Sequence, residues 1–302
     1  MPIIKREKAV LYREDAKSAK KPDGSRLSCK YMCLVIALLL ICGCAKGEAP
    51  MNQNNKNGDL SESRLEKVRR LRVSFGHQSV GANILDGLQA LAVENSTYKL
   101  NIVATDAPEK LSGPLFAHFR VGANMTPDSK IESFKEHVSR SGTAIDVAFF
   151  KFCYIDVGAD TDGEALFRKY QIMMTGLRKQ FPKLTFVHVT IPVKTIDGGV
   201  KGIVKKILGK STGEEANVNR TRYNNLLRKE YSGKEAIFDL AGVESTTPDG
   251  KRVQGEKSGA SYEALYPAYS DDGEHLNSEG GRRAARALLQ TLADVAELLL
   301  KR

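Results

Sequence analysis

From Leu71 onward, short apolar runs rich in β-branched and aromatic residues alternate with longer stretches whose apolar positions recur at helical spacing. The runs Leu71–Phe75, Lys99–Ala104, Asp146–Ile155, Leu184–Ile191 and Ala236–Leu240 predict strands. Between them, Ile84, Leu85, Leu88, Leu91 and Ala92 share one helical face, as do Leu166, Tyr170, Met173, Leu177 and Phe181. Leu288, Leu292, Val295 and Leu299 line one side of a last helix, with Ser278 placed to cap its N-terminus. Strands alternating with helices predict a parallel sheet covered on both faces, hence an α/β fold, a three-layer α/β/α sandwich with a central sheet of about five strands. The Met and aromatic positions at helical spacing are core in this reading. Ligands of such sheets gather at the carboxyl ends of the strands, and Ser79 follows the first predicted strand directly.

Two segments break the alternation. Residues 194–217 form a long connection holding Lys201-Gly-Ile-Val-Lys-Lys-Ile-Leu-Gly-Lys210, expected as a lid, a binding loop or a solvated insertion. Residues 244–269, rich in Ser, Thr, Gly and Pro, deliver the chain to Asp272 and His275.

The apolar run Leu34-Val-Ile-Ala-Leu-Leu-Leu-Ile41 is too short to span a bilayer, but it suits the core of a secretory signal. It ends at Ile41-Cys-Gly-Cys44, which resembles the bacterial lipobox, so Cys44 is expected to be lipidated and to anchor the chain on a membrane. The organisation expected is a leader and lipoprotein signal at 1–44, a flexible polar tether at 45–64, and a folded domain at 65–302. A cell-envelope location follows, lipid-anchored, or secreted if Cys44 is unmodified.

Composition changes this picture little. The 302 residues suffice for one substantial core, with 41% hydrophobic and 27% charged residues. Half of the formal net charge of +10 comes from residues 1–30, which hold nine Lys/Arg against four acids. The remainder gives no reason to expect nucleic acid as a partner. Cys29, Cys33, Cys42 and Cys44 crowd the leader, leaving Cys153 alone in the body, so the domain stands without a disulfide framework. Asp160 and Asp162 belong to no cluster with metal-ligand spacing, and neither metal nor cofactor is expected.

The candidate chemistry lies in Phe75-Gly-His-Gln-Ser-Val-Gly81 and Asp271-Asp-Gly-Glu-His-Leu-Asn277. A serine at a strand-to-helix turn has free backbone N–H groups and the helix dipole around it, which favour a developing oxyanion. Asp272 and His275, three residues apart before the last helix, can orient an imidazole that takes the serine proton. His77 either lines the pocket or satisfies the turn. His118, His137 and His188 are read as structural, with His118 the nearest to Gly122 in sequence. Lys151 and Asp156 are placed to pair beneath the site. Asn219-Arg-Thr-Arg-Tyr-Asn224 either presents arginines to an anionic or sugar substrate or forms the exposed first turns of a helix.

The order of a serine near the first strand and Asp-x-x-His before the C-terminal helix resembles the SGNH/GDSL hydrolase superfamily over Leu71 to Arg302. Asp272-Gly-Glu-His275-Leu-Asn matches that family's last block closely. The resemblance implies a flavodoxin-like α/β/α domain and an ester hydrolase with Ser79 as nucleophile, His275 as base and Asp272 as its partner. It departs at the first block, where Gly76-His-Gln-Ser79 stands for Gly-Asp-Ser, and at the third, where Cys153-Tyr-Ile-Asp156 lacks the oxyanion asparagine. Gly122 is the candidate second-block donor, with Asn124 a replacement amide and His77 and Gln78 further oxyanion or substrate contacts. The activity implied is removal of acyl groups, O-acetyl among them, from carbohydrate. The alternatives are a catalytically inactive envelope binding protein on the same fold and a sugar O-acyltransferase.

Overall fold

The computed structural model describes residues 60–197, 208 and 213–301. The expected leader, Cys44, most of the tether and most of the basic apolar segment lie outside these residues. Eight strands are described: β1 (Arg72–His77), β2 (Ile102–Ala104), β3 (Leu115–Arg120), β4 (Val147–Phe150), β5 (Thr185–Val189), β6 (Ala236–Phe238), β7 (Gln254–Lys257) and β8 (Ala260–Glu263). The helices among the described residues are α1 (Glu62–Arg69), α2 (Ser79–Glu94), α3 (Pro127–Ser141), α4 (Gly163–Gln180), α5 (Glu214–Tyr231), the short α6 (Leu240–Glu244) and α7 (Ser278–Leu299).

The first six strands form one sheet in the order β2-β3-β1-β4-β5-β6, every pairing parallel. One face buries Phe75, Phe116 and Phe149 against α1, α2 and α7. The other buries Phe119, Phe150 and Phe186 against α3, α4 and α5. This is the expected three-layer α/β/α arrangement, with six strands where about five are predicted. The extra strand is β3, whose Leu-Phe-Ala-His-Phe-Arg run sits between β2 and β1.

The other departures have local causes. The predicted strand over 146–155 stops at Phe150, because the chain turns into a 3-10 turn at Tyr154–Asp156. The last helix is capped by Asn277, whose side chain accepts from the Gly280 N–H, so Ser278 is its first residue and not its cap. The 244–269 connection contains the antiparallel hairpin β7–β8. Helix α1 begins inside the stretch expected as tether and is tied to α7 by Arg64 ion pairs with Asp294 and Glu297. Among the described residues no helix is long and apolar enough to cross a membrane.

Arg220, Tyr223 and Asn224 are buried, not on exposed turns. Asn224 brackets Ile191 by accepting from its N–H at 2.7 Å and donating to its carbonyl at 2.9 Å. Arg220 Nε donates to the Tyr154 carbonyl at 2.9 Å, so it fastens α5 to the turn after β4 and offers nothing to a substrate.

Helices α2 and α7 lie side by side with little room between their backbones. A side chain on Gly87 would collide with the Gly281 backbone, and one on Gly281 would stand 2.7 Å from the Asn83 carbonyl oxygen. This approach brings the first turn of α7 against the early turns of α2. Ser79 at one helix start and His275 just before the other therefore share one end of the sheet.

Candidate active site

The chain leaves β1 toward β2 on one side of the sheet and leaves β3 toward β4 on the other, although β1 and β3 are neighbours. A crevice opens at such a switch point, beyond the strand carboxyl ends. Here it is an open cleft of about 730 Å³, with Gln78, Ser79, His118, Arg120, Asp106 and Asn124 in its walls.

Ser79 is the first residue of α2, half-buried, with Gln78 in an extended conformation before it. Its own N–H and that of Gly122 find no acceptor among the described residues, which leaves both donors for an anion. Gly122 has φ +49°, and a side chain there would stand 2.6 Å from the Lys130 backbone nitrogen. The turn after β3 thus requires glycine for both conformation and space. Gln78 spans the gap: its amide nitrogen donates to the Val121 carbonyl at 3.0 Å and to that of Gly122 at 2.8 Å. Its hydrogens are committed, so Gln78 fixes the Gly122 turn beside Ser79 and has no donor left for a substrate. Asn124 presents Oδ1 to Lys130 Nζ at 3.0 Å, which directs its amide hydrogens away from Lys130.

His77 is buried, and its ring stacks on Phe75 at 4.8 Å between centroids. It donates through Nδ1 to the Gln78 carbonyl at 3.0 Å and meets His118 Nδ1 through Nε2 at 3.0 Å. Burial pushes its pKa down to about 4. Gly81 leaves the space that this ring fills. His137 and His188 are structural, as expected. One bonds Ser74 Oγ at 2.7 Å, and the other bonds Glu235 at 3.1 Å and Tyr170 at 2.7 Å.

On the β4 side, Asp272 accepts from the His275 backbone N–H at 2.8 Å through Oδ1 and holds Nδ1 of the same ring at 2.7 Å through Oδ2. Burial opposes ionisation of Asp272. The His275 N–H, its ring and the Glu274 N–H outweigh burial and hold the carboxyl well below the usual carboxylate range. With its proton on Nδ1, the imidazole offers Nε2 as a base. That Nε2 lies 3.5 Å from Tyr154 Oη, and among the described residues it makes no hydrogen bond with Ser79. Tyr154 stands edge-on to the imidazole, at 5.5 Å between centroids and 78° between planes. Its hydroxyl donates to Glu274 Oε2 at 2.7 Å, and Lys194 pairs with the same carboxylate. Burial, then the Glu274 bond, raises the Tyr154 pKa far above its ordinary value, so the phenol keeps its proton.

Asp156 pairs with Lys130 at 2.5 Å, both side chains fully buried, and not with Lys151 as expected. It also accepts from the Cys153 N–H at 2.6 Å and the Met125 N–H at 2.9 Å. The turn after β4 and the loop after β3 are thereby locked together. Lys151 is buried with Cys153 Sγ at 3.3 Å, and burial lowers its pKa. Asp162 caps α4 by accepting from Ala165 N–H at 2.9 Å, and no metal-ligand cluster exists among the described residues.

Sequence reading passed over Tyr154, Glu274, Lys194 and Lys130. Tyr154 stands one residue before Ile155, which takes the place of the missing third-block asparagine, and nothing in the sequence marked its role. The other three are charged residues whose partners lie far away in sequence.

No family model matches this chain, and no curated protein matches it. Solved structures do. A GDSL-like lipase from Bacteroides thetaiotaomicron is 13% identical, with a TM-score of 0.46 over 76% of this chain and 90% of the other. An acetyl xylan esterase is 15% identical, with a TM-score of 0.42 over 73% of this chain and 98% of the other. The periplasmic domain of a lipopolysaccharide acetyltransferase from Salmonella ser. Paratyphi A is 10% identical, with a TM-score of 0.36 over 71% and 80%.

Proposed function

We propose that this protein acts on ester bonds through an acyl-enzyme on Ser79, with His275 as base and Asp272 fixing its tautomer. The observation that carries the reading is the Asp272–His275 pair, held at 2.7 Å with Nε2 left as acceptor at the end of the sheet where Ser79 opens α2. Ser79 Oγ attacks the ester carbonyl and gives its proton to Nε2. The N–H groups of Ser79 and Gly122 receive the oxyanion, and the proton passes from Nε2 to the departing alcohol. Water then releases the acid, or a sugar hydroxyl takes the acyl group. Nε2 must turn from Tyr154 toward Ser79 for the first step. The substrate class is an O-acyl, foremost O-acetyl, ester on carbohydrate, and the place of action is the cell envelope with Cys44 lipidated.

The test is hydrolysis of p-nitrophenyl acetate and acetylated xylo-oligosaccharides by the full chain. Ser79→Ala is expected to lower kcat/KM by at least about 10³-fold; turnover that survives the change overturns the assignment. The second reading, a binding protein that has lost catalysis, is favoured by the contact of Nε2 with Tyr154 in place of Ser79. It predicts glycan binding without turnover.

A further inference from the structure

His118 reaches the cleft from β3, and its ring is half-exposed there. Its protonation pattern follows from its neighbours. The Gln78 carbonyl can only accept, so His77 Nδ1, 3.0 Å away, carries the hydrogen. A neutral imidazole has one N–H, which makes His77 Nε2 an acceptor. His118 Nδ1, 3.0 Å from it, must then be the donor. That leaves His118 Nε2 with a lone pair, and it has no partner among the described residues. Burial lowers the pKa of both rings, which keeps the relay neutral at pH 7. A main-chain carbonyl thus fixes, through two rings, an acceptor in the wall of the cleft that holds Ser79. Thr105, Asp106, Arg120 and Asn124 supply further polar groups to the same walls.

We infer that His118 Nε2 is a substrate-binding acceptor that takes a hydrogen bond from a free hydroxyl of a polyhydroxylated alcohol moiety, next to the ester that meets Ser79. The subsite selects esters of polyols and sugars over esters of simple alcohols, because a neutral acceptor rewards a hydroxyl donor and is left unpaired by an apolar group. This inference rests on the reading of Ser79 as the reacting residue.

Two measurements test it on the full chain. In ¹⁵N spectra of the histidines, His77 and His118 are expected to carry hydrogen on Nδ1, and addition of methyl glucoside should shift the unprotonated His118 Nε2 resonance. A hydrogen on His118 Nε2 overturns the inference whether or not the protein is active. In kinetics, His118→Phe should lower the ratio of kcat/KM for mono-O-acetyl methyl glucoside to that for p-nitrophenyl acetate by about 10-fold or more, chiefly through KM. O-methylation of the neighbouring sugar hydroxyl should cost the wild type a similar factor and the variant almost nothing. Equal losses on both esters, or loss of fluorophosphonate labelling at Ser79 in His118→Phe, would make His118 part of the base machinery and overturn the inference. Inertness of the wild type toward both esters would remove the esterase reading instead, and the ¹⁵N experiment would still decide this one.

Discussion

Glu244 shows how single residues set the electrostatics beneath this site. Its carboxyl is fully buried and accepts from the Val193 N–H at 2.8 Å, and desolvation pushes its pKa up to about 8 from an ordinary 4.5. Between these values the folded chain holds a proton that the unfolded chain has lost, so stability falls as pH rises through this window, by up to about 1.4 kcal/mol per unit. Glu244→Gln keeps the acceptor for Val193 and cannot ionise. Urea unfolding should therefore show the variant gaining on the wild type from pH 5 to pH 8, and a constant difference across that range would refute the assignment. Neither this nor the His77–His118 relay was legible in the sequence, because burial and partner choice are decided by contacts far along the chain. The Asp272–His275 pair was legible, since three residues of separation in one loop suffice to join them. Ser79 was legible as the first residue of a helix, but not its distance from His275, which depends on how Tyr154 seats the imidazole.

At the scale of elements, the site is built from the turns after β1, β3 and β4 and the loop before α7. Gln78 ties the first to the second, and the buried Lys130–Asp156 pair ties the second to the third. Breaking a buried pair by removing one partner leaves an uncompensated charge, typically at a cost of about 3–5 kcal/mol. Lys130→Met should lower stability by about that amount in chemical denaturation. Lys130→Met with Asp156→Asn should recover part of the loss, since no charge is stranded. A loss below about 1 kcal/mol in the single variant would show that the pair does not hold the turns. The strands that sequence reading found are those whose apolar runs are long and β-branched. It missed β3, where His118 and Arg120 interrupt the apolar pattern because they face the cleft. It also placed 219–224 at the surface, because Arg and Asn look solvent-directed until their backbone partners on Ile191 and Tyr154 are seen.

For the whole molecule, the doubly covered parallel sheet follows from alternation of strand and helix, and the cleft follows from the change of direction between β1 and β3. The fold therefore sets where the site lies, and side chains brought in by loops distant in sequence set which chemistry it can support. The proposed function requires Ser79 and His275 to act as one unit although Nε2 rests against Tyr154. Its most direct test is the rate at which a fluorophosphonate labels the full chain, with the adduct located by mass spectrometry. One adduct is expected, on Ser79, formed at least about 10²-fold more slowly in His275→Ala. An adduct elsewhere, no adduct, or labelling at an unchanged rate without His275 would contradict it.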